Sequence, residues 1–142
     1  MIRKMTPEDR DRIIELENSC FSRPWKYSDL DYELNSNPYA QIYVLEQGGK
    51  IIGYYDLWVI FETSELARLA VDPDYRRMGF ADNLLAHAEL LATDFGCENI
   101  GLEVRVSNLP AINLYKKNGF IVINVKPNYY DTEDGLRMMK GI

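Results

Sequence analysis

The stretch LAVDPDYRRMGFADNLLAHAELLA, residues 69–92, decides how the chain is read. A short apolar run, Leu69-Ala70-Val71, is closed by an Asp72-Pro73 turn. Arg76 and Arg77 then precede Gly79, and a segment rich in leucine and alanine follows. Ala81, Leu84, Leu85, Ala88, Leu91 and Ala92 recur at helical spacing, which predicts strand, turn and an amphipathic helix from about Gly79 to Phe95. The first N–H groups of a helix have no partner within it, and the helix dipole adds positive potential there. Such an end can hold an anion. Gly79 lets a ligand approach the backbone, Ala81 keeps the next contact small, and Arg76 and Arg77 can add charge beside a phosphate. The same residues also suit a turn that simply needs a glycine, flanked by two solvated arginines. No Gly-Lys-Ser/Thr follows, and the G-x-G-x-x-G spacing is missing, so neither a P-loop nor a dinucleotide fingerprint is present.

Outward from this stretch the chain alternates. Thr6 is placed to cap a helix with Pro7 in its first position, and Ile13, Leu16 and Cys20 form its stripe. Arg23-Pro24-Trp25 interrupts it, and residues 27–37 read as a second short helix ending near Asn37-Pro38. QIYVLEQGGKIIGYYDLWVIF (41–61) is two β-rich runs around Gly48-Gly49, a hairpin signal, and residues 65–71 continue as a strand. Beyond the central helix, 99–106 reads as a strand and 109–119 as a helix with Pro110 at its start and Asn118-Gly119 at its end. Residues 120–126 form a strand and 136–140 a short last one. Helices between strands in the second half imply parallel pairing there, and the hairpin implies antiparallel pairing before it. The fold class is α/β with a mixed sheet.

At 142 residues the chain reads as one domain, 1–142, and its 46% apolar content is that of a globular protein. The net charge of −6, with no cluster of lysines or arginines, argues against direct nucleic-acid binding. It is compatible with a cationic substrate. Cys20 and Cys97 form no disulfide or zinc pattern, and the N-terminus lacks the apolar core of a signal peptide. With no apolar window long enough for a membrane span, a cytoplasmic location and no membrane partner are expected. His87, the single histidine, falls one step off its helix's apolar face, which predicts an exposed surface residue. No metal and no Cys-His or Ser-His catalysis is expected.

RRMGFA (76–81) resembles the Q/R-x-x-G-x-G/A motif of the GNAT acetyltransferases. LEVRVSNLPAINLYKKNGF (102–120) is similar to the strand, helix and Gly-Phe that follow it in that family. FSRPW (21–25) and NYYDTEDGLRMM (128–139) look like the RimI-type branch, bacterial N-acetyltransferases of a ribosomal protein's terminal alanine. The resemblance spans about Ile2 to Met139. It implies a GNAT fold: a mostly antiparallel mixed sheet whose central parallel strands splay, flanked by about four helices. It implies acetyl-coenzyme A as co-substrate, its pyrophosphate cradled by Arg76, Arg77, Met78, Gly79, Phe80, Ala81 and Asp82. The backbone of Leu69, Ala70 and Val71 would bind the acetyl and pantetheine portion, with an N–H near Val71 polarising the thioester carbonyl.

The chemistry has further requirements. A terminal amine has a pKa near ~7.7–8.0, so a modest base suffices, and a phenol near ~10 can protonate a thiolate near ~8.5. The resemblance makes Glu103 the general base through water and Tyr115 the general acid. The alternatives are a strand carboxylate paired with Arg105 and a packing aromatic. Tyr115 lies two helical turns after Asn108 on the same face; Asn108 matches a coenzyme A contact and also suits a helix N-cap. Phe21, Pro24, Trp25, Tyr129 and Tyr130 match positions that wall a peptide's N-terminus, though each alone could be core.

Three departures stand out. Met78 and Phe80 vary positions contacted through backbone. Gly135 and Arg137 replace commoner alanine and apolar residues and weaken the last strand. Arg68 replaces a small polar residue two positions before Ala70, and is expected to point away from the site or to be held by Glu65. The resulting expectation is acetyl transfer to the α-amine of a protein, with a ribosomal protein beginning with alanine as the best guess. Transfer would be direct, by a monomer or weak homodimer. The rivals are acetylation of lysine side chains or a small amine, and a non-catalytic acyl-coenzyme A binding module.

Overall fold

The computed structural model describes all residues, 1–142. Seven strands form one sheet: β1 (Ile2–Lys4), β2 (Ala40–Gln47), β3 (Lys50–Ile60), β4 (Thr63–Val71), β5 (Asn99–Arg105), β6 (Ile121–Lys126) and β7 (Gly135–Gly141). Four helices flank it: α1 (Arg10–Cys20), α2 (Tyr27–Asn35), α3 (Phe80–Asp94) and α4 (Leu109–Lys117). The strand order is β1-β2-β3-β4-β5-β7-β6. The expected hairpin joins β2 and β3 through Gly48-Gly49, with Gln47 opposite Lys50. Thr6 and Pro7 open a short 3₁₀ turn ahead of α1, closed by the Thr6 N–H donating to Asp9 at 2.8 Å.

The pairing corrects one expectation. Only β4 and β5 pair in parallel, and only over Thr63–Glu65 against Asn99–Gly101. The β5-α4-β6 unit does run parallel in direction, but β7 inserts between its strands and pairs antiparallel with both. Far from a weak terminal strand, β7 is an interior one. Strand β1 is also an addition. Its three residues are too few for a period, and it is fixed by pairing Ile2 with Leu45 and by a bidentate Arg3–Asp9 ion pair at 2.8 and 2.9 Å.

Each sheet face buries its own core. Leu84, Leu85, Ala88 and Ala92 of α3 and Ile112 and Tyr115 of α4 pack on Ile52, Leu57, Leu66, Leu102 and Val104. Ile13, Ile14 and Leu16 of α1 and Leu30 of α2 pack on Ile42, Val44, Ile51, Tyr54 and Ala70 from the other side. His87 is not the exposed residue that its helical position suggested. It is half-buried, and its Nδ1 lies 2.7 Å from the Tyr55 hydroxyl, beside the Tyr43 ring.

A carboxyl group is buried in the sheet as well. Asp56 of β3 is fully buried, and neither carboxylate oxygen has a hydrogen-bond partner. Burial, and then neighbouring Glu33, pushes its carboxyl up to about 9. The folded chain therefore keeps a proton that the unfolded chain releases above roughly pH 4, so this group lowers stability as pH rises from there toward 9. Asp56→Asn is expected to raise the melting temperature, and by more at pH 8 than at pH 5. Thermal melts at the two values check this, and an equal change at both would contradict it.

Candidate active site

Beyond Glu65 and Gly101 the parallel strands separate, and a cavity of about 760 Å³ occupies the gap. A bulge shapes its β4 wall. Asp56 pairs with Arg68 and Leu57 with Leu66, so Ala67 is an extra residue on β4. The bulge shifts the alternation: Leu66, Leu69 and Val71 share the α3 face, while Ala70 faces α1. The cavity thus passes through the sheet. Phe21 and Trp25 of the α1–α2 loop and Tyr129 and Tyr130 of the β6–β7 loop line one mouth, and Asn108, Ala111 and Tyr115 line the other. Pro24 lies between wall residues without lining the cavity itself.

At the aromatic mouth Glu103 is not paired with Arg105. Its Oε1 accepts from Lys126 Nζ at 2.8 Å and from Arg137 at 3.4 Å, and its buried Oε2 has no partner. Arg137 also binds Glu65, and Arg105 instead faces Glu133 at 4.0 Å and covers the Tyr130 ring at 4.4 Å. Tyr129 and Tyr130 meet edge to face, 4.9 Å between centroids. Gly135 makes room for them, since a Cβ there would sit 3.0 Å from Tyr130 and 3.1 Å from Tyr129.

Arg68 neither points away nor is held by Glu65. It lines the cavity, and its Nη2 donates to Glu17 at 3.1 Å and to the Arg23 carbonyl at 3.2 Å. Its guanidinium carbon lies 4.2 Å from the Phe21 centroid and 4.7 Å from that of Trp25. Glu65 is unavailable because Arg137 occupies it, and the bulge turns Arg68 toward α1, where Glu17 is fully buried. Glu17 also accepts the Trp25 N–H at 2.7 Å and the Tyr54 hydroxyl.

At the opposite mouth Asn108 caps α4, accepting the Ala111 N–H at 3.3 Å. Tyr115 is buried, which pushes its phenol well above the usual range, and its hydroxyl bonds to no protein group. Leu69 joins this lining, whereas Ala70, Val71 and residues 76–82 lie outside it. Asp72 donates its N–H to Ile52 on β3 at 2.7 Å, so Val71, one residue earlier, turns its own N–H to the free edge of β4. From Arg76 through Asp82 no backbone N–H donates to a protein acceptor. Gly79 N-caps α3 with φ +83, and Arg77 also has positive φ. These turns leave a cradle of free donors at the start of α3. The Asp82 carboxylate is otherwise engaged, with Lys117 at 3.0 Å and Asn118 at 3.1 Å.

Residues 10–120 match the Acetyltransferase (GNAT) family. This chain belongs to the GNAT acetyltransferase family. It is an acetyl-coenzyme A-dependent N-acetyltransferase. A Bacillus subtilis protein, provisionally named a ribosomal protein bS18-alanine N-acetyltransferase, is 37% identical over 139 residues, 96% of this chain and 92% of its own. The crystal structure of the ribosomal-protein-S18-alanine N-acetyltransferase from Escherichia coli superposes with a TM-score of 0.93 at 29% identity, covering 100% of this chain and 93% of that one. The PaiA N-acetyltransferase of Thermoplasma acidophilum, solved with coenzyme A, gives 0.87 at 25% identity over 100% and 98%.

Glu17 and Lys126 of this GNAT site escaped the sequence reading, and Arg137 entered it only as a departure in the last strand. Glu17 sits on a helix stripe, Lys126 ends an apolar strand, and Arg137 reads as an oddity of β7. Glu17 and Arg137 are charged at positions that periodicity places on a buried or half-buried face, and that mismatch is the signal that could have exposed them; Lys126 shares its face with Asn124 on an exposed edge strand and carries no such signal. Gly135→Ala is expected to push Tyr129 and Tyr130 outward and raise the KM for the acceptor amine several-fold, with coenzyme A affinity unchanged. Steady-state kinetics beside calorimetry with coenzyme A checks this; an unchanged acceptor KM would contradict it.

Proposed function

We propose that this GNAT enzyme acetylates the N-terminal α-amine of a protein, with ribosomal protein S18 presenting a terminal alanine as the acceptor and the cytoplasm as the place. The names of the Bacillus and Escherichia relatives support this acceptor. One observation carries the reading: the cavity crosses the sheet where β4 and β5 part, with a free carboxylate oxygen on the aromatic side and a free phenol on the other. An amine and a thioester can therefore approach from opposite faces and meet in the gap.

Acetyl-coenzyme A supplies an acetyl group activated as a thioester. The features that fit it are the free N–H groups of Arg76–Asp82 for the pyrophosphate, with Arg76 and Arg77 adding charge. The edge of Leu69–Val71 is open toward the acyl arm, and Asn108 stands at the same mouth. Val71 offers its N–H to the carbonyl where negative charge develops. Glu103 takes the proton of the α-ammonium, directly or through water, at Oε2. The neutral amine attacks the carbonyl carbon, the new N–C bond forms, the C–S bond breaks, and the nitrogen sheds its second proton to water, which restores the Tyr115 phenol once it has protonated the sulfur. Tyr115, kept protonated by burial, gives its proton to the departing sulfur. Phe21, Trp25, Tyr129 and Tyr130, with Pro24 shaping the turn behind them, enclose a short first side chain.

Two measurements test this. Intact-mass spectrometry should show one acetyl group gained by a lysine-free peptide beginning with alanine and none by an N-terminally blocked peptide with one lysine; the reverse pattern would overturn the acceptor class. Glu103→Gln and Tyr115→Phe should each lower kcat by about 10²–10⁴ while coenzyme A affinity persists. Wild-type turnover in both variants would overturn the roles given to Glu103 and Tyr115.

A further inference from the structure

Every cation around the cavity has a carboxylate partner: Arg23 with Asp131, Arg68 with Glu17, Arg105 with Glu133, and Lys126 and Arg137 with Glu103. What stays unmatched and buried there is one donor and one acceptor, Arg68 Nε–H and Glu103 Oε2. A buried donor without an acceptor is uncommon and marks either a defect or a place where an acceptor arrives. Arg68 is not loosely placed. Phe21 and Trp25 cover its faces, and Glu17 and the Arg23 carbonyl hold its far end. Asp56, directly opposite on β3, forms no bond or ion pair with it.

We infer that Arg68 is a specificity-determining residue whose Nε–H donates to the carbonyl of the acceptor's first peptide bond, while the neighbouring ammonium goes to Glu103 Oε2. This rests on the α-amine reading above and adds the group that recognises such an amine. The match is chemical. An N-terminal residue carries a cation followed at once by a neutral carbonyl, and the cavity offers an anion and a neutralised donor. A carboxylate at Arg68 fits less well, because Glu17 already cancels the guanidinium charge and Glu65 and Glu103 line the same space. A lysine side chain fits less well too, since four methylenes separate its ammonium from any carbonyl.

The test crosses a substrate change with a protein change. The substrates are a peptide beginning with alanine and the same peptide with a thioamide at its first bond, whose sulfur accepts hydrogen bonds weakly. The proteins are wild type and Arg68→Lys, which keeps a cation for Glu17 and removes Nε–H. Wild type should lose about tenfold in kcat/KM on the thioamide, as expected for a bond from a charged donor. Arg68→Lys should start about tenfold lower and show no further loss. Equal losses in both proteins, or none in wild type, overturn the assignment. Coenzyme A affinity confirms that the variant folds. Should it not fold, the Arg68 Nε–H resonance of wild type decides: it should move downfield on adding the alanine peptide but not isopropylamine, and a resonance that stays put overturns the inference. Failure of the α-amine reading looks different, since wild type would then acetylate neither peptide.

Discussion

The structure depends on a ladder that stops early. Strands β4 and β5 pair for three residues and then part, although each keeps its other edge bonded, β4 to β3 as far as Val71 and β5 to β7 along its whole length. The gap is therefore bounded by two rigid walls, each with a row of unpaired backbone groups facing inward. Open edges of this kind are normally a liability, because they recruit other strands. Here the cavity side chains and the two flanking loops cover the gap and shield the free edge from another strand. The Ala67 bulge completes the arrangement by sending Arg68 to the face opposite Leu69.

A second constraint sits behind the aromatic wall. Glu17 is fully buried and receives three donors, from Trp25, Tyr54 and Arg68. A buried carboxylate is tolerable only when it is paired and its lone pairs are filled, and removing one partner leaves an uncompensated charge. This makes α1, the α1–α2 loop, β3 and β4 one mechanical unit. The aromatic side chains of the loop are held in register with the sheet by an ion pair rather than by apolar packing alone.

Much of this was legible. The 3.6 period of α3, the Gly48-Gly49 hairpin and the capping signals around α1 and α4 are local, and the chain obeys them. The Gly79 turn and the Asn108 cap are local as well, whereas Glu103 and Tyr115 stand out only through the resemblance of their segments to the GNAT family. What could not be read depends on distant partners. Nothing in residues 135–141 says that β7 slips between β5 and β6. The partner of Arg68 lies 51 residues away, and the nearer Glu65 is not available to it because Arg137, itself 72 residues from Glu65, claims that carboxylate. His87 is exposed by its helical angle alone, and only the arrival of Tyr43 and Tyr55 from the sheet covers it.

Charge balance ties these observations together. Ion pairs at a solvent-exposed site contribute little, but pairs lining a cavity decide which charges a ligand can bring. With Arg23, Arg68, Arg105, Arg137 and Lys126 all matched to carboxylates, no unpaired cation lines the cavity. The exposed Arg76 and Arg77, by contrast, have no carboxylate partner and stand beside the free N–H groups of the α3 turn. Unpaired arginine charge thus stands at the α3 turn and not in the lining of the cavity. The net charge of −6 says nothing of that division; the pairing does.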